Sequence, residues 1–355
     1  MLVLPVLMVL LGVPAVSWGW GAEGHEIVGT VAEHLISSKT RVHILQLLGD
    51  ESLKDASTWA DEVKHHTSPT GLKPPLNTDS DSIAFVNAAQ KGQPNADNDR
   101  WHFANLPLGA TDYHSIFTTY KDLPSPDDPF ASERDIVHVI NVCIQRLKGQ
   151  PVTGFTLSQK NALRLLVHLV GDLHQPLHIG SGYIAASPST SADLLVRDPK
   201  TIADGHLKGD RGGNELFYHD QPAEELHAHW DTDLVKYAMK MAPAGVRHNV
   251  DDYASYLATL PTQITWNGTG NVTSWAEQWA NETLVLARDA YQDVTPTSTK
   301  SHPYTSHFNH KSQTEQGYPV QLGSHYDDKD APQVKTELAK AGYRLAKILD
   351  AIWQH

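Results

Sequence analysis

His168-Leu169-Val170-Gly171-Asp172-Leu173-His174-Gln175-Pro176-Leu177-His178 is the stretch from which the rest of the chain can be read. His168 and Asp172 stand four apart in an apolar run that reads as a helix, so both project from one face and can share a metal ion. Leu165, Leu166, Val167, Leu169 and Val170 make that run strongly apolar. The pair therefore faces something buried and polar, and a buried carboxylate without a partner is costly. Ser158, preceded by Leu157, is the expected cap of this helix, and Pro176 breaks it. His178 follows just beyond the break, which puts three ligands of the type zinc prefers within about one turn and one loop. A His/Asp pair at this spacing also occurs as a plain surface hydrogen bond, so the remaining ligands have to be sought elsewhere in the chain.

With 355 residues, 40% hydrophobic and 19% charged, the composition is that of an ordinary globular protein, one large domain or two small ones. The unusual figure is 21 histidines against a single cysteine. Histidine is the commonest ligand for borderline metals, which favours a metalloenzyme, although a His-rich surface accounts for part of the count. The net charge of −13 argues against holding nucleic acid through a broad basic footprint. It leaves room for a substrate phosphate gripped locally by metal ions, whose charge inverts the local field. Cys143 alone cannot form an intrachain disulfide. Its helical spacing with Ile136, Ile140 and Leu147 marks it as a core residue.

Residues 1–19 read as a cleaved secretory signal, almost wholly apolar to Val16 and then small at Ser17 and Gly19. Cleavage after Gly19 makes Trp20 the first residue of a mature domain, 20–355; the other reading is an uncleaved N-terminal anchor. A cleaved Trp20 presents a free amine beside its own carbonyl, a five-membered chelate that His25 lies close enough to complete. Taken alone, Trp20 reads better as a buried aromatic anchoring the chain start. A helix follows with Ile27, Val28, Val31, Ala32 and Leu35 on its apolar face. A second runs from Thr40 to Leu48 with Thr40 as cap, and a third carries Ser57 to Glu62, where Asp61 can point inward. Residues 67 to 100 read as loop around one apolar piece, Ile83 to Val86. Trp101 to Asn105 is an aromatic segment with His102 inside it. A further helix is expected from about Ser132, with Asp135 as its capping-box acid.

Beyond the central helix, residues 180 to 208 are small and polar and look like an insertion or lid. Gly209-Asp210-Arg211-Gly212-Gly213-Asn214 is a turn that can cradle a phosphate through its amides or simply close a hairpin; strand-like Leu216-Phe217-Tyr218 follows. His227 and Asp231 repeat the His/Asp spacing of the central helix. The C-terminal third is mainly helical: Trp275 to Tyr291, then a last helix with a stripe of Val334, Leu338, Ala341, Leu345, Ile348 and Ile352. The histidines between His302 and His310 read as part of a solvated loop. Asn267, Asn271 and Asn281 head sequons that are glycosylation acceptors in a eukaryotic source.

Taken together, Trp20-Gly-x-x-Gly-His25, Trp59-Ala-Asp61, His102-Phe103, His168-x-x-x-Asp172-x-x-x-x-x-His178 and His227-x-x-x-Asp231 resemble, in order and spacing, the zinc-dependent S1/P1 nucleases, the type I single-strand-specific nucleases. The resemblance implies a mainly α, single-domain fold of the phospholipase C/P1 nuclease kind with a trinuclear zinc cleft. It implies one zinc on Asp61, His102, His168 and Asp172, a second on the amine and carbonyl of Trp20 with His25 and a shared Asp172, and a third on His178, His227 and Asp231. It further implies that a zinc-activated hydroxide held at Asp172 attacks phosphorus in line, giving 5′-phosphate products from single-stranded DNA and RNA, together with 3′-nucleotidase activity on 3′-mononucleotides. Phe103 and Asn105 match the family's base-binding segment, with core packing as the other reading of Phe103. The family pattern includes acidic residues at the Asn105 position, and Asn214 is a further candidate for the base pocket. Many family members outside bacteria carry disulfides, so this chain is expected to be a bacterial-type member exported to the periplasm or medium, without stable membrane association and with no protein partner inferred. The rival activity is that of the related zinc-dependent phospholipase C enzymes. A non-catalytic zinc-binding protein is the remaining alternative, disfavoured by the full ligand set.

Overall fold

The computed structural model describes residues 20–64, 66, 68–118, 132, 134–185, 195–205, 207–218, 224–260, 268–298, 302–306 and 313–353; the segment read as a signal peptide lies outside them. Helices carry the architecture: α1 (Ala22–Leu35), α2 (Ser38–Leu48), α3 (Leu53–Ala56), α4 (Trp59–Lys64), α5 (Ser80–Ala88), α6 (Ser115–Thr118), α7 (Ile136–Leu147), α8 (Gln159–Leu173), α9 (Pro176–Ile179), α10 (Pro199–Gly205), α11 (Leu226–Ala228), α12 (Leu234–Met241), α13 (Val250–Leu257), α14 (Trp275–Ala290) and α15 (Tyr326–Trp353). The strands are short: β1 (Leu106–Pro107), β2 (Gly180–Ser181), β3 (Tyr183–Ile184), β4 (Leu195–Val196), β5 (Lys208–Gly209), β6 (Leu216–Phe217), β7 (Val294–Pro296), β8 (His302–Ser306) and the longer β9 (Gln313–Leu322). The fold is mainly α, as the sequence implies.

α8 is the axis. Ser158 caps it by accepting from the Asn161 amide, and every residue from Asn161 to Leu173 is buried. A helix buried on all sides needs neighbours on all sides. α7 lies along it, α1 and α15 pack on it, and α3, α4, α5 and α14 also touch it. The apolar stripe of α15 is buried throughout. α1 and α15 approach so closely at Gly342 that a Cβ there would stand 2.5 Å from Val31. Arg164, buried on α8, joins Glu51 to Asp79 at 2.6 Å each, tying the helix to the start of α5. Cys143 is buried in α7.

Several boundaries differ from the sequence reading. Ser37, not Thr40, caps α2, accepting from the Thr40 amide; Thr40 instead donates its hydroxyl to Asp350 on α15. Asp135 is itself the cap of α7, accepting from the His138 amide, and the helix starts at Ile136 rather than near Ser132. The piece from Ile83 to Val86 belongs to helix α5, because Asp79 caps it and Phe85 and Val86 find the core. The 180–208 stretch is built, where described, as the sheet β4-β3-β5, with α10 between β4 and β5. His302 opens a strand, β8, antiparallel to β9, and does not lie in a loop; His307 and His310 lie outside the described residues. Asn267 also lies outside them, whereas exposed Asn271 caps a short 3-10 turn and half-buried Asn281 accepts from the Tyr113 amide. Among the described residues no helix is long and apolar enough to cross a membrane.

Candidate metal centre

The i, i+4 geometry of α8 puts His168 Nε2 3.1 Å from Asp172 Oδ2. Both are fully buried, and Asp172 is the hub of what gathers there. His102 Nδ1 lies 2.9 Å from its Oδ2 and His25 Nε2 lies 3.2 Å from its Oδ1. Asp61, brought in by α4, has Oδ1 3.5 Å from His168 Nε2. The His25 ring stacks on that of His168, centroids 3.7 Å apart. These five side chains lie together in one continuous group. His25, Asp61 and His168 share one cluster, and His102, His168 and Asp172 a second that overlaps it.

Two glycines make this approach possible. A Cβ at Gly171, beside Asp172, would stand 2.9 Å from His25 Nδ1. A Cβ at Gly24 would stand 2.7 Å from that of Trp20. Trp20 is fully buried, and the amide of Gly21 after it donates to the Asp231 carbonyl at 2.8 Å. The segment at Trp20 is thus tethered to the turn that carries Asp231.

His178, His227 and Asp231 form a third cluster. His178 comes from α9, His227 from α11, and Asp231 from a π-helical turn, His229–Asp233, that joins α11 to α12. The imidazole Nε2 atoms of His178 and His227 are 3.2 Å apart, and His227 Nε2 is 3.4 Å from Asp231 Oδ2. The spacing of the motif was legible; the wide turn under it was not. π-Turns inside helices recur at functional sites.

Backbone carbonyls fix the ring orientation of three candidate ligands. Nδ1 of His168 donates to Ser57, Nδ1 of His178 to His102, and Nδ1 of His227 to Gly212, at 2.6 to 2.7 Å. Each bond leaves Nε2 facing its cluster, the arrangement that orients metal-binding imidazoles. It also gives the Gly-rich turn its role. Arg211, Gly212 and Gly213 are all left-handed, with φ of 59°, 64° and 85°, and a Cβ at Gly212 would meet the Leu177 carbonyl at 2.0 Å. The amides of Gly212 and Gly213 donate to Ser181 and Asp210, so they are not turned toward a phosphate. The turn holds His227.

The electrostatics suit metal ligation, which needs neutral imidazoles and ionised carboxylates. Burial lowers His25 and His178, brings His102 to about 4 with help from the Lys64 ammonium, and brings His227 to about 3 with help from His178. His168 is raised: burial opposes this, but Asp172 and Asp61 outweigh it. Burial works against the ionised forms of Asp61 and Asp172 as well. Lys64 and His168 nevertheless hold Asp61 at about 2, and the surrounding imidazoles hold Asp172 well below the usual range. His168 and Asp231 are thus the two exceptions, Asp231 being pushed well up by burial. Both ring nitrogens of His25, Oδ1 of Asp172 and Oδ2 of Asp231 are buried with no hydrogen-bond partner. Orphaned atoms of this kind cost free energy that a bound cation removes. The donor set is nitrogen and oxygen only, which zinc accepts.

Of the proposed base-binding residues, Phe103 is half-buried and, among the described residues, no part of the hydrophobic core. Its segment is pinned beside His178, whose carbonyl accepts from the Ala104 amide at 2.8 Å, and β1 pairs in parallel with β2 just after His178. Asn105 is buried with φ of 48°, and buried Asn214 donates to the Arg211 carbonyl at 2.7 Å. Three residues around the centre have no role of their own in the sequence reading: Lys64, paired with Asp61; Gln175, bonded to Asp231; and Asp210. The i, i+3 step from Asp61 to Lys64 was a usable signal. Nothing local marked the other two.

Comparison with known proteins bears on the same residues. A family model described as S1/P1 Nuclease matches residues 20–354. The chain is 25% identical to Nuclease S1 of Aspergillus oryzae over 98% of its own length and 97% of the relative's. It is 26% identical to Nuclease P1 of Penicillium citrinum over 94% and 97%, and 23% identical to Endonuclease 4 of Arabidopsis thaliana over 94% and 89%. A match running from Trp20 through all three His/Asp clusters to the last helix shows that the chain belongs to the S1/P1 nuclease family.

Proposed function

We propose that this protein is an exported, zinc-dependent endonuclease that hydrolyses phosphodiester bonds in single-stranded DNA and RNA, and that it also removes 3′-phosphates from nucleotides. The observation that carries the reading is the convergence of three His/Asp clusters, buried except at half-buried Asp61 and with orphaned polar atoms, in a chain of a nuclease family. Asp61, His102, His168 and Asp172 would hold one zinc ion, and His178, His227 and Asp231 another. Removal of residues 1–19 frees the Trp20 amine, which with its carbonyl, His25 and Asp172 would hold a third. The start of the family match at Trp20 supports that boundary. Bound zinc supplies Lewis acidity toward phosphoryl oxygen and lowers the pKa of water toward neutrality.

The protein's own groups supply the rest. Asp172 joins the clusters, and the low position of Asp61 keeps a negative ligand in place across the working pH range. Phe103 offers a ring outside the core, beside the His178 segment, on which an unpaired base can stack; a paired base has no free face. Phe103→Ala is expected to raise KM for single-stranded DNA about tenfold, since such stacking is worth about 1–3 kcal/mol, with kcat nearly unchanged.

The test is cleavage of single-stranded DNA, RNA and a 3′-mononucleotide by the protein beginning at Trp20, with phosphatidylcholine and a chelator as controls. Chelator-sensitive cleavage that leaves 5′-phosphates supports the proposal. Lipid turnover without it moves the protein to a phospholipase reading, and metal binding with no turnover to a non-catalytic one.

A further inference from the structure

We infer that Gln175 is the positioning residue of the His178, His227 and Asp231 cluster, setting the Asp231 carboxylate and the His178 helix with one side-chain amide. The inference rests on the metal reading of that cluster. Gln175 is fully buried between the end of α8 and the π-turn. Its Nε2 donates to Asp231 Oδ1 at 2.8 Å, and its Oε1 accepts from the Leu177 amide at 2.5 Å. The second bond fixes the first. A backbone N–H can face only an acceptor, so the oxygen of Gln175 is committed to Leu177 and the nitrogen must face Asp231.

Gln175 also belongs to the chain that links two ligand segments. Its own amide donates to the Asp172 carbonyl at 3.0 Å, its carbonyl accepts from the His178 amide at 3.0 Å, and it caps α9. Asp231 has its main chain held separately, its carbonyl accepting from Gly21. What the main chain cannot set is the rotation of the carboxylate. With Oδ1 held by Gln175, the orphaned Oδ2 is the oxygen left toward His227, 3.4 Å away. Without Gln175 the two oxygens are interchangeable and the N-cap of the His178 turn is lost. Groups that orient a metal ligand from behind are worth about 10- to 100-fold in metal affinity.

The test uses the protein beginning at Trp20 and two variants: Gln175→Met, which fills the volume without bonding, and Gln175→Glu, which keeps the cap but turns an oxygen toward Asp231. Each is loaded with zinc and titrated with a competing chelator. Bound metal is counted by mass spectrometry, and the melting temperature is recorded in excess chelator. The expected result is three ions in the wild type. In each variant one ion should leave at a free-zinc concentration 10- to 100-fold higher than in the wild type, with the other two unmoved and the metal-free melting temperature within a few degrees. Gln175→Glu stands in if Gln175→Met fails to fold. Release curves matching the wild type for all three ions, or all three weakened together, would overturn the inference. A wild type that binds fewer than three ions overturns the metal reading itself, and this inference with it.

Discussion

Gly171 sits between two candidate ligands, Asp172 and His25, without being one. It precedes Asp172 on α8, and the space where its side chain would be is filled by the His25 ring. Gly171→Ala favours the helix by about 1 kcal/mol, yet it is expected to push His25 off its stack on His168. The result should be loss of one bound metal ion and at least a tenfold fall in single-strand cleavage, read by metal analysis alongside the assay. Full metal content at full rate would refute the packing. Asp210 makes a different kind of prediction. Its Oδ1 accepts from Ser181, Gly182, Gly213 and Tyr291. Burial nevertheless pushes its pKa to about 7 against those bonds. A folded-state pKa above the unfolded value means that the native state holds the proton more tightly. Its contribution to stability is therefore complete below about pH 4 and is lost as pH rises toward 7. The loss can approach about 1.4 kcal/mol per pH unit. Asp210→Asn removes that titration, so its unfolding free energy should fall less steeply across this window than the wild type's. Equal slopes in denaturant titrations at several pH values would contradict the assignment.

Among the elements, α8 and α15 divide the labour: one presents ligands and the other braces it. Arg344 on α15 is fully buried, with its guanidinium over the Trp279 ring. It donates to His174 Nε2 at 2.9 Å, and His174 in turn donates from Nδ1 to the Val170 carbonyl at 2.7 Å, beside the C-terminus of α8. Glu282 on α14 pairs with the same guanidinium. Arg344→Met leaves His174 and Glu282 short of a donor and should cost about 2–3 kcal/mol, measured by chemical unfolding with metal bound. Wild-type stability in that variant would show the network to be idle. Ser158→Ala, which removes only the cap of α8, should cost about 1 kcal/mol. At this scale the sequence was legible where the pattern was periodic: α8, α14 and the stripe of α15 lie where apolar spacing placed them. It was not legible in α5, a short helix amid Pro, Asn and Asp, which is held by the distant Arg164. The cap of α2 also turned on a distant residue, since Thr40 is drawn away by Asp350.

For the molecule as a whole, the centre is built from segments far apart in sequence: α1, α4, the Trp101–His102 segment, α8, α9, α11 and the π-turn. Metal held between them is linked to folding, because the unfolded chain has no such site. Each site saturated at 100 times its dissociation constant adds about 2.7 kcal/mol. Stripping the metal should therefore lower the melting temperature by several degrees or more, and returning zinc should restore it; an unchanged melting curve would mean that the clusters hold nothing. Extra residues left before Trp20 should abolish one metal site and most activity, and full activity in that form would sink the role of the Trp20 amine. The sequence alone determined the central helix and the His/Asp pairs at i, i+4, because covalent spacing and the 3.6-residue turn decide which near neighbours share a face. The tertiary structure alone decided that Asp172 is the hub, that His25 stacks on His168 over Gly171, and that Gln175 bonds to Asp231. These are contacts between separate segments or depend on them. Which segments meet, and at what distance, is set by packing of the whole core and not by any local pattern of residues.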